Sequence, residues 1–214
     1  MQIDIYSDTI CPWCLIGKRR LERALAARPQ PGISFRWRAF QLNPTMPPQG
    51  MERAQYLKLK FGGAEGAAKI YDAVQEAGRE EGIDFAFDRM QRTPNTLDSH
   101  RLIRFAAGKG REEEMVETLF QRYFLRAEDI GDRSILTAAA QEAGLDESEA
   151  AAFLGGDDLH AEMAAEDEAA RRAGINGVPC FIYAGRYALS GAQPPEVLWQ
   201  MFDVALAENE KQSA

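Results

Sequence analysis

Cysteine and histidine are scarce in this 214-residue chain, which contains 3 of the former and 2 of the latter. A structural zinc site usually takes four such ligands from two spaced pairs. His100 and His160 lie far apart in the sequence without a paired spacing, so we expect no bound metal. The low cysteine content also favours a reducing compartment, and we expect the cytoplasm.

Positive charge is in deficit as well, since 25 Lys and Arg stand against 33 Asp and Glu for a net charge of −8. A nucleic-acid-binding surface needs basic side chains to neutralise phosphates, so nucleic acid is not expected as a partner. No apolar run approaches the roughly 20 residues of a membrane span. The first residues also lack the basic and apolar segments of a signal peptide, and we expect no membrane association.

The most informative motif present is Cys11-Pro12-Trp13-Cys14. It follows a strand-like alternation over residues 2–6 and begins a helical pattern that continues to about residue 28. Two cysteines separated by two residues at a strand-to-helix junction are typical of a thiol–disulfide redox site. A purely structural disulfide across so short a loop would constrain almost nothing.

Helix geometry assigns different roles to the two cysteines. Pro12 suits the first helical position, where its missing N–H is not needed, and this makes Cys11 the N-cap. The Cys11 sulfur is then expected near the free N–H groups of Trp13 and Cys14, which together with the helix dipole favour a thiolate. Cys11 is therefore the predicted nucleophile. Cys14, one turn further in, is the predicted resolving thiol.

The rest of the chain predicts an α/β fold in the order β-α-β, then a run of helices, then α-β-β-α. Prolines near 44–48 mark a linker after the second strand. We divide the chain into a first part at 1–45, a helical insertion at 46–156 and a second part at 157–214. The basic cluster at 18–20 is expected on a solvated helix face, although it could also hold a thiolate or an anionic substrate. Helices in the insertion are predicted near 51–61, 64–81, 96–108, 111–126, 132–143 and 146–154, with residues 83–87 ambiguous and extended as one alternative.

This arrangement resembles the thioredoxin fold, and the helical insertion resembles the DsbA class within it. The resemblance rests on the Cys-x-x-Cys motif and on Val178-Pro179 before a strand pair and a last helix. The segments at 7–14, 17–19, 95–102 and 177–179 are similar to the FrnE-like branch. That branch also contains relatives of 2-hydroxychromene-2-carboxylate isomerase and of kappa-class glutathione transferases.

The resemblance implies a dithiol–disulfide oxidoreductase that works through a mixed disulfide. It places a cis-proline at Pro179 opposite the cysteine pair and leaves the Val178 backbone free to bind a substrate chain. Pro12 and the aromatic edge of Trp13 are expected to contact the substrate. Expected substrates are protein or small-molecule disulfides, with no bound cofactor. Glutathione is considered as a thiol co-substrate, and glutathione or a thioredoxin-type reductant as the recycling partner. The reducing or oxidising direction and the oligomeric state stay open.

Two other functions compete with this one. The first is a glutathione-dependent transferase or isomerase, in which a serine normally stands at the position of Cys11, so that activity is disfavoured here. The second is a redox-switched holdase or binding protein that uses the helical insertion as its contact surface.

Further polar residues are candidates for the site. Asn43 follows the second strand at the sheet edge where α/β folds bind ligands. His100 is expected either in the cleft or as a structural helix residue, and the loop at 190–193 either binds a carboxylate or caps the last helix.

Two positions leave a choice open. Relatives carry a buried carboxylate where this chain has Ile5, so the proton acceptor for Cys14 is open. Asp8 is a weak candidate for it and is expected to be solvated. Cys180 is either a third redox thiol or a buried small apolar residue, and strand alternation favours the latter.

Overall fold

A four-stranded mixed sheet in the order β2-β1-β5-β6 forms the base of the molecule. The computed structural model describes residues 1–213, and the side chains of all of these except residues 64 and 209–213. Strands β1 (Gln2–Ser7) and β2 (Ser34–Ala39) pair in parallel across helix α1 (Pro12–Ala27). A parallel pair needs such a crossover. Strands β5 (Cys180–Tyr183) and β6 (Tyr187–Ser190) form an antiparallel hairpin, and β5 also pairs antiparallel with β1.

The helical insertion lies between β2 and α8 (His160–Arg172), and α9 (Pro195–Ser213) ends the described chain. The helices of the insertion follow the predicted order closely. Asp146 accepts a hydrogen bond from the Glu149 backbone N–H at 2.9 Å and so begins α7 as an N-cap. The insertion contains α2 (Arg53–Phe61), α3 (Ala64–Glu80), α4 (Leu97–Ala107), α5 (Glu112–Phe120), α6 (Arg133–Glu142) and α7 (Glu147–Gly155).

Three local features of the insertion were not specified by the sequence patterns. A two-stranded antiparallel sheet joins β3 (Met51–Glu52) to β4 (Arg92–Thr93). Residues 121–125, predicted as the end of an α-helix, form a π-helical turn. The ambiguous segment 83–87 adopts neither helix nor strand.

One hydrophobic core runs from the sheet into the insertion. Ile3 and Ile5 of β1, on one face of the sheet, belong to the same cluster as Leu102 and Leu119 of the insertion. Because side chains alternate along a strand, Cys180 points away from this core. It lies in a smaller cluster with Phe40, Ala170 and Ile175. The division of the chain at 45/46 and 156/157 stays a prediction. Residue 214, the last of the predicted second part, lies outside the described residues.

The basic cluster of α1 is not the solvated face that the sequence favoured. Lys18 is only 3% exposed, and its ammonium lies 2.8 Å from Glu113 and 2.9 Å from Glu117 of α5. Arg20 lies 2.9 Å from Glu81, just beyond the end of α3. These cations are covered because the insertion docks on α1, a contact between segments that local sequence patterns do not predict.

Candidate active site

Cys11 lies at the N-cap of α1, with Pro12 as the first helical residue, as the sequence predicts. Its backbone is extended (φ −89°, ψ 111°), and its N–H donates to the Asp8 carbonyl at 3.0 Å. The side chain differs from the expectation, because it accepts no capping hydrogen bond from a backbone N–H of the helix. Instead, the Cys11 thiol donates to the Val178 carbonyl oxygen at 3.5 Å. The Cys11 sulfur therefore faces the loop that carries Pro179.

Cys14 is 1% exposed and lies one turn further along α1. Burial raises the pKa of its thiol well above the usual value, and the neighbouring Cys11 raises it further. Hydrogen bonds from the Ser7 side chain and the Asp8 backbone oppose this shift only in part. Cys14 is therefore a protonated thiol at neutral pH, and a base is needed before it can act as a nucleophile.

The Val178–Pro179 loop packs directly against α1. The peptide bond between these residues is cis. A Cβ atom built on Gly17 would lie 2.9 Å from Pro179 Cγ, so the absence of a side chain at Gly17 permits the approach. The Pro179 carbonyl accepts a hydrogen bond from the Gly191 N–H at 2.8 Å, which ties this loop to the residues before α9.

A cleft of about 250 Å³ opens beside Cys11, and we call it the Cys11 cleft. Pro12, Trp13 and Val178 lie along it together with Cys11, so the structure brings half of the predicted site residues together in this cleft. The opposite wall comes from the insertion and is mainly aromatic and aliphatic. It includes Arg53, Tyr56, Lys60, Phe61, Ile70, Tyr71, Val74, Thr93 and Tyr123.

The other predicted substrate-contacting residues lie outside this lining. The Asn43 side-chain oxygen accepts a hydrogen bond from Lys60 Nζ at 2.9 Å, so Asn43 touches the Cys11 cleft only through Lys60. The loop at 190–193 is closed by its own contacts, since the Gln193 side chain donates to the Ser190 carbonyl at 2.8 Å.

His100 does not face the Cys11 cleft, which corrects one of the two alternatives given for it. It is 4% exposed and lines a small interior cavity that Ser7 and Thr9 also line. Its Nε2 lies 3.5 Å from Asp8 Oδ1, and both atoms are buried without a hydrogen-bond partner among the residues that the structure describes.

Asp8 is fully buried, so the expectation of a solvated acid was wrong. Its Oδ2 accepts a hydrogen bond from the Leu42 N–H at 2.6 Å, which fixes the orientation of the carboxylate. The Asp8 backbone contacts the Cys14 sulfur. A buried carboxylate and a buried histidine therefore face each other, and the backbone of the acid lies against Cys14.

The residues 2–203 match the model of the DSBA-like thioredoxin domain. The chain belongs to this family. A probable DsbA oxidoreductase from Streptomyces coelicolor has 32% sequence identity and a TM-score of 0.87, over 97% of this chain and 91% of that chain. The protein YwbO of Bacillus subtilis is 26% identical over 218 residues, which span 99% of this chain and 98% of YwbO.

Two more distant structures share the fold of this DSBA-like chain. A 2-hydroxychromene-2-carboxylate isomerase has 15% identity and a TM-score of 0.73, with all of both chains covered. The cytosolic disulfide reductase DsbM from Pseudomonas aeruginosa has 20% identity and a TM-score of 0.68, also over all of both chains. The predicted thioredoxin-like fold with a helical insertion is thereby confirmed.

Cys180 belongs to a different buried cluster from Cys11 and Cys14. It is 2% exposed and packs with Phe40, Ala170 and Ile175. Burial raises the pKa of its thiol, which the Ser190 side chain only partly offsets. The favoured prediction of a buried small apolar residue is confirmed.

Sequence patterns missed the part of the cleft that the insertion contributes. Arg53, Tyr56, Tyr71 and Tyr123 lie between 42 and 112 positions after Cys11 in the chain and share no local motif with it. The high density of aromatic residues between 56 and 87 is the one signal that pointed there. Among the residues whose side chains are described, no group of three or more His, Cys, Asp or Glu could hold a metal. No described helix is long and apolar enough to cross a bilayer.

Proposed function

We propose that this chain is a dithiol–disulfide oxidoreductase that acts through Cys11 and Cys14. The observation that carries the proposal is the position of Cys11. Its thiol lies at a helix N-terminus, beside a cleft and 3.5 Å from the Val178 carbonyl, with the shielded Cys14 one turn behind it. Membership of the DSBA-like family supports the same chemistry.

The reaction proceeds by two thiol–disulfide exchanges. The Cys11 thiolate attacks one sulfur of the substrate disulfide, that S–S bond breaks, and the other sulfur leaves as a thiolate. The Val178 carbonyl, relieved of the Cys11 proton, accepts a hydrogen bond from the bound substrate. Cys14 then loses its proton and attacks Cys11 Sγ, which releases the second substrate thiol and leaves a Cys11–Cys14 disulfide. The same steps in reverse oxidise a substrate dithiol.

The buried Asp8–His100 pair is the proton acceptor for Cys14 in this proposal. Ser7 contacts Cys14 and also lines the cavity that His100 lines, so it connects the resolving thiol to the pair. Asp8→Asn keeps an acceptor oxygen for the Leu42 N–H but removes the charge. We expect it to slow the Cys14 step while leaving the first attack by Cys11 unchanged, in stopped-flow traces that resolve both phases. Equal slowing of the two phases, or of neither, would contradict this role.

Glutathione is the thiol co-substrate that we propose, with protein or small-molecule disulfides as substrates and glutathione or a thioredoxin-type reductant as the recycling partner. One structure of the distant relative DsbM was obtained with GSH, which supports the proposal only at the level of the fold. The cytoplasm stays our proposed compartment, because the chain carries so few cysteines.

Trapping of the intermediate tests the proposal. Reduced Cys14→Ser protein, mixed with glutathione disulfide, is expected to accumulate a glutathione adduct on Cys11 that mass spectrometry detects. Cys11→Ser is expected to lose reductase activity, and Cys180→Ser, the matched control thiol, is expected to keep it. Full activity in Cys11→Ser would exclude the mechanism. Turnover of electrophiles or chromene carboxylates that survives Cys14→Ser would instead favour the transferase or isomerase alternative.

A further inference from the structure

Arg53 is a buried cation without a carboxylate. It is 9% exposed and donates to Thr93 Oγ1 at 3.1 Å and to the Tyr71 hydroxyl, while its Nε meets no acceptor in the described part of the chain. No carboxylate among the described side chains lies within ion-pairing distance of it. A buried charge is costly unless it is paired, so the guanidinium of Arg53 is suited to receive an anion.

Other buried arginines of this chain show the usual arrangement. Arg101 is 1% exposed and pairs with Asp98 at 2.6 Å. Arg122 is 9% exposed, as Arg53 is, and pairs with Glu128 and Glu142, each at 2.8 Å. Of the three arginines that are buried in the described part of the chain, Arg53 is therefore the one without a carboxylate partner, and it lines the Cys11 cleft.

The surroundings of Arg53 are rich in hydrogen-bond donors and in aromatic rings. Its guanidinium carbon lies 5.5 Å from the ring centre of Tyr56 and 5.3 Å from that of Tyr71, in cation–π contact with both. The Tyr123 hydroxyl also lies on the Cys11 cleft and is buried near the Thr93 side chain that accepts from Arg53. Lys60 adds a second positive charge to the lining.

Tyr71 links Arg53 to the nucleophile. Burial raises the pKa of its hydroxyl, Arg53 opposes this shift, and Cys11 adds to it. Cys11, Arg53 and Tyr71 all line the same cleft of about 250 Å³. An anion on Arg53 and a sulfur on Cys11 can belong to one small molecule.

We propose that the Cys11 cleft binds small disulfides that carry a carboxylate on an apolar or aromatic body, with the carboxylate on Arg53. This inference deepens the oxidoreductase function proposed above and rests on it. Cys11 Sγ bonds to the near sulfur of the bound disulfide, the S–S bond of the substrate breaks, and the far half leaves as a thiolate. Cys14 then displaces the near half, so that the protein dithiol loses two electrons and two protons and the disulfide becomes two thiols.

Two aromatic disulfides of opposite character test the inference. The rate of oxidation of the reduced protein is measured with 5,5′-dithiobis(2-nitrobenzoate), which carries carboxylates, and with neutral 2,2′-dithiodipyridine. The ratio compared is the rate with the carboxylate-bearing disulfide divided by the rate with the neutral one. Because a hydrogen bond to a charged group contributes strongly to binding, Arg53→Met is expected to lower this ratio by about 10- to 100-fold. Arg53→Lys, which keeps the charge, is expected to recover part of this ratio. Arg122→Met, an arginine of equal burial outside the Cys11 cleft, is expected to leave the ratio unchanged.

A second measurement needs no variant. Benzoate is expected to slow the reaction of the wild-type protein with 2,2′-dithiodipyridine, and the neutral benzamide is expected not to. An unchanged rate ratio in Arg53→Met, or equal inhibition by benzoate and benzamide, would overturn the inference but leave the oxidoreductase function standing. Failure of the wild-type cysteine pair to react with either disulfide would overturn the proposed function itself.

Discussion

Replacement of Gly17 by alanine probes the contact that positions the Val178–Pro179 loop. The added Cβ would lie 2.9 Å from Pro179 Cγ and 3.6 Å from Ala192 Cα. Carbon atoms without a bond between them prefer a separation of about 3.5–4.0 Å, so the loop must move by several tenths of an ångström. The proline ring is stiff and the helix is held by its own hydrogen bonds, so neither side gives way freely.

Two effects of opposite sign determine the expected stability. Alanine is favoured over glycine inside a helix by about 1 kcal/mol. Overpacking of a filled site costs about 1–3 kcal/mol. We therefore expect Gly17→Ala to lower the free energy of unfolding by about 0–2 kcal/mol. Displacement of the Val178 carbonyl, now 3.5 Å from Cys11 Sγ, is expected to lower the disulfide reductase rate by about tenfold.

Gly155 provides the matched control for this experiment. It is also helical, but a Cβ at this position would meet nothing within 4 Å. Urea unfolding is expected to show Gly155→Ala stabilised by up to about 1 kcal/mol, with an unchanged rate of insulin reduction. If Gly17→Ala were as stabilising as Gly155→Ala and fully active, the close approach of α1 to Pro179 would be refuted.

Three further outcomes are expected. Burial alone would raise the pKa of Glu117, but the hydrogen bond from Arg19 and the charge of Lys18 lower it from 4.5 to about 2. The ionised Glu117 side chain therefore stabilises the fold fully above pH 4.5, and this stabilisation fades toward pH 2. The loss of unfolding free energy in Glu117→Gln, measured by urea unfolding, should shrink as the pH falls over that range. A loss that stays constant with pH would contradict the ion pair. Lys18→Met removes a buried cation that lies against two glutamates, and it is expected to lower the free energy of unfolding by about 1–3 kcal/mol in the same assay. An unchanged urea midpoint would argue against the docking of α5 on α1. Cys180 in a Cys11→Ser/Cys14→Ser protein is expected to resist iodoacetamide until urea is added, because it is buried and its pKa is raised; rapid labelling of the folded protein would count against this burial.

Local patterns were sufficient for the parts of the site that are close together in the chain. The β-α-β unit and the placement of Cys11, Pro12 and Cys14 follow from strand alternation, from the proline at the first helical position and from the cysteine spacing. Helix order in the insertion followed from periodicity and from capping residues such as Asp146.

Burial of charged groups could not be predicted in the same way. Lys18 and Asp8 were expected in solvent, yet Lys18 meets Glu113 and Glu117, and Asp8 meets His100, each more than 90 residues away. Such burial depends on which face of the insertion docks on the cysteine-bearing helix. Arg53 was missed for the same reason, because its place beside Cys11 comes entirely from tertiary packing.

A redox titration with glutathione buffers tests the central claim most directly. Trp13 lies between the two cysteines and reports their state by fluorescence, and Trp13→Phe corrects for Trp37 and Trp199. We predict one reversible two-electron transition that is lost in Cys14→Ser, with a potential near about −270 mV for a reductant or near about −120 mV for an oxidant. The absence of any reversible two-electron transition in the wild-type protein would contradict the proposal that Cys11 and Cys14 form a redox pair.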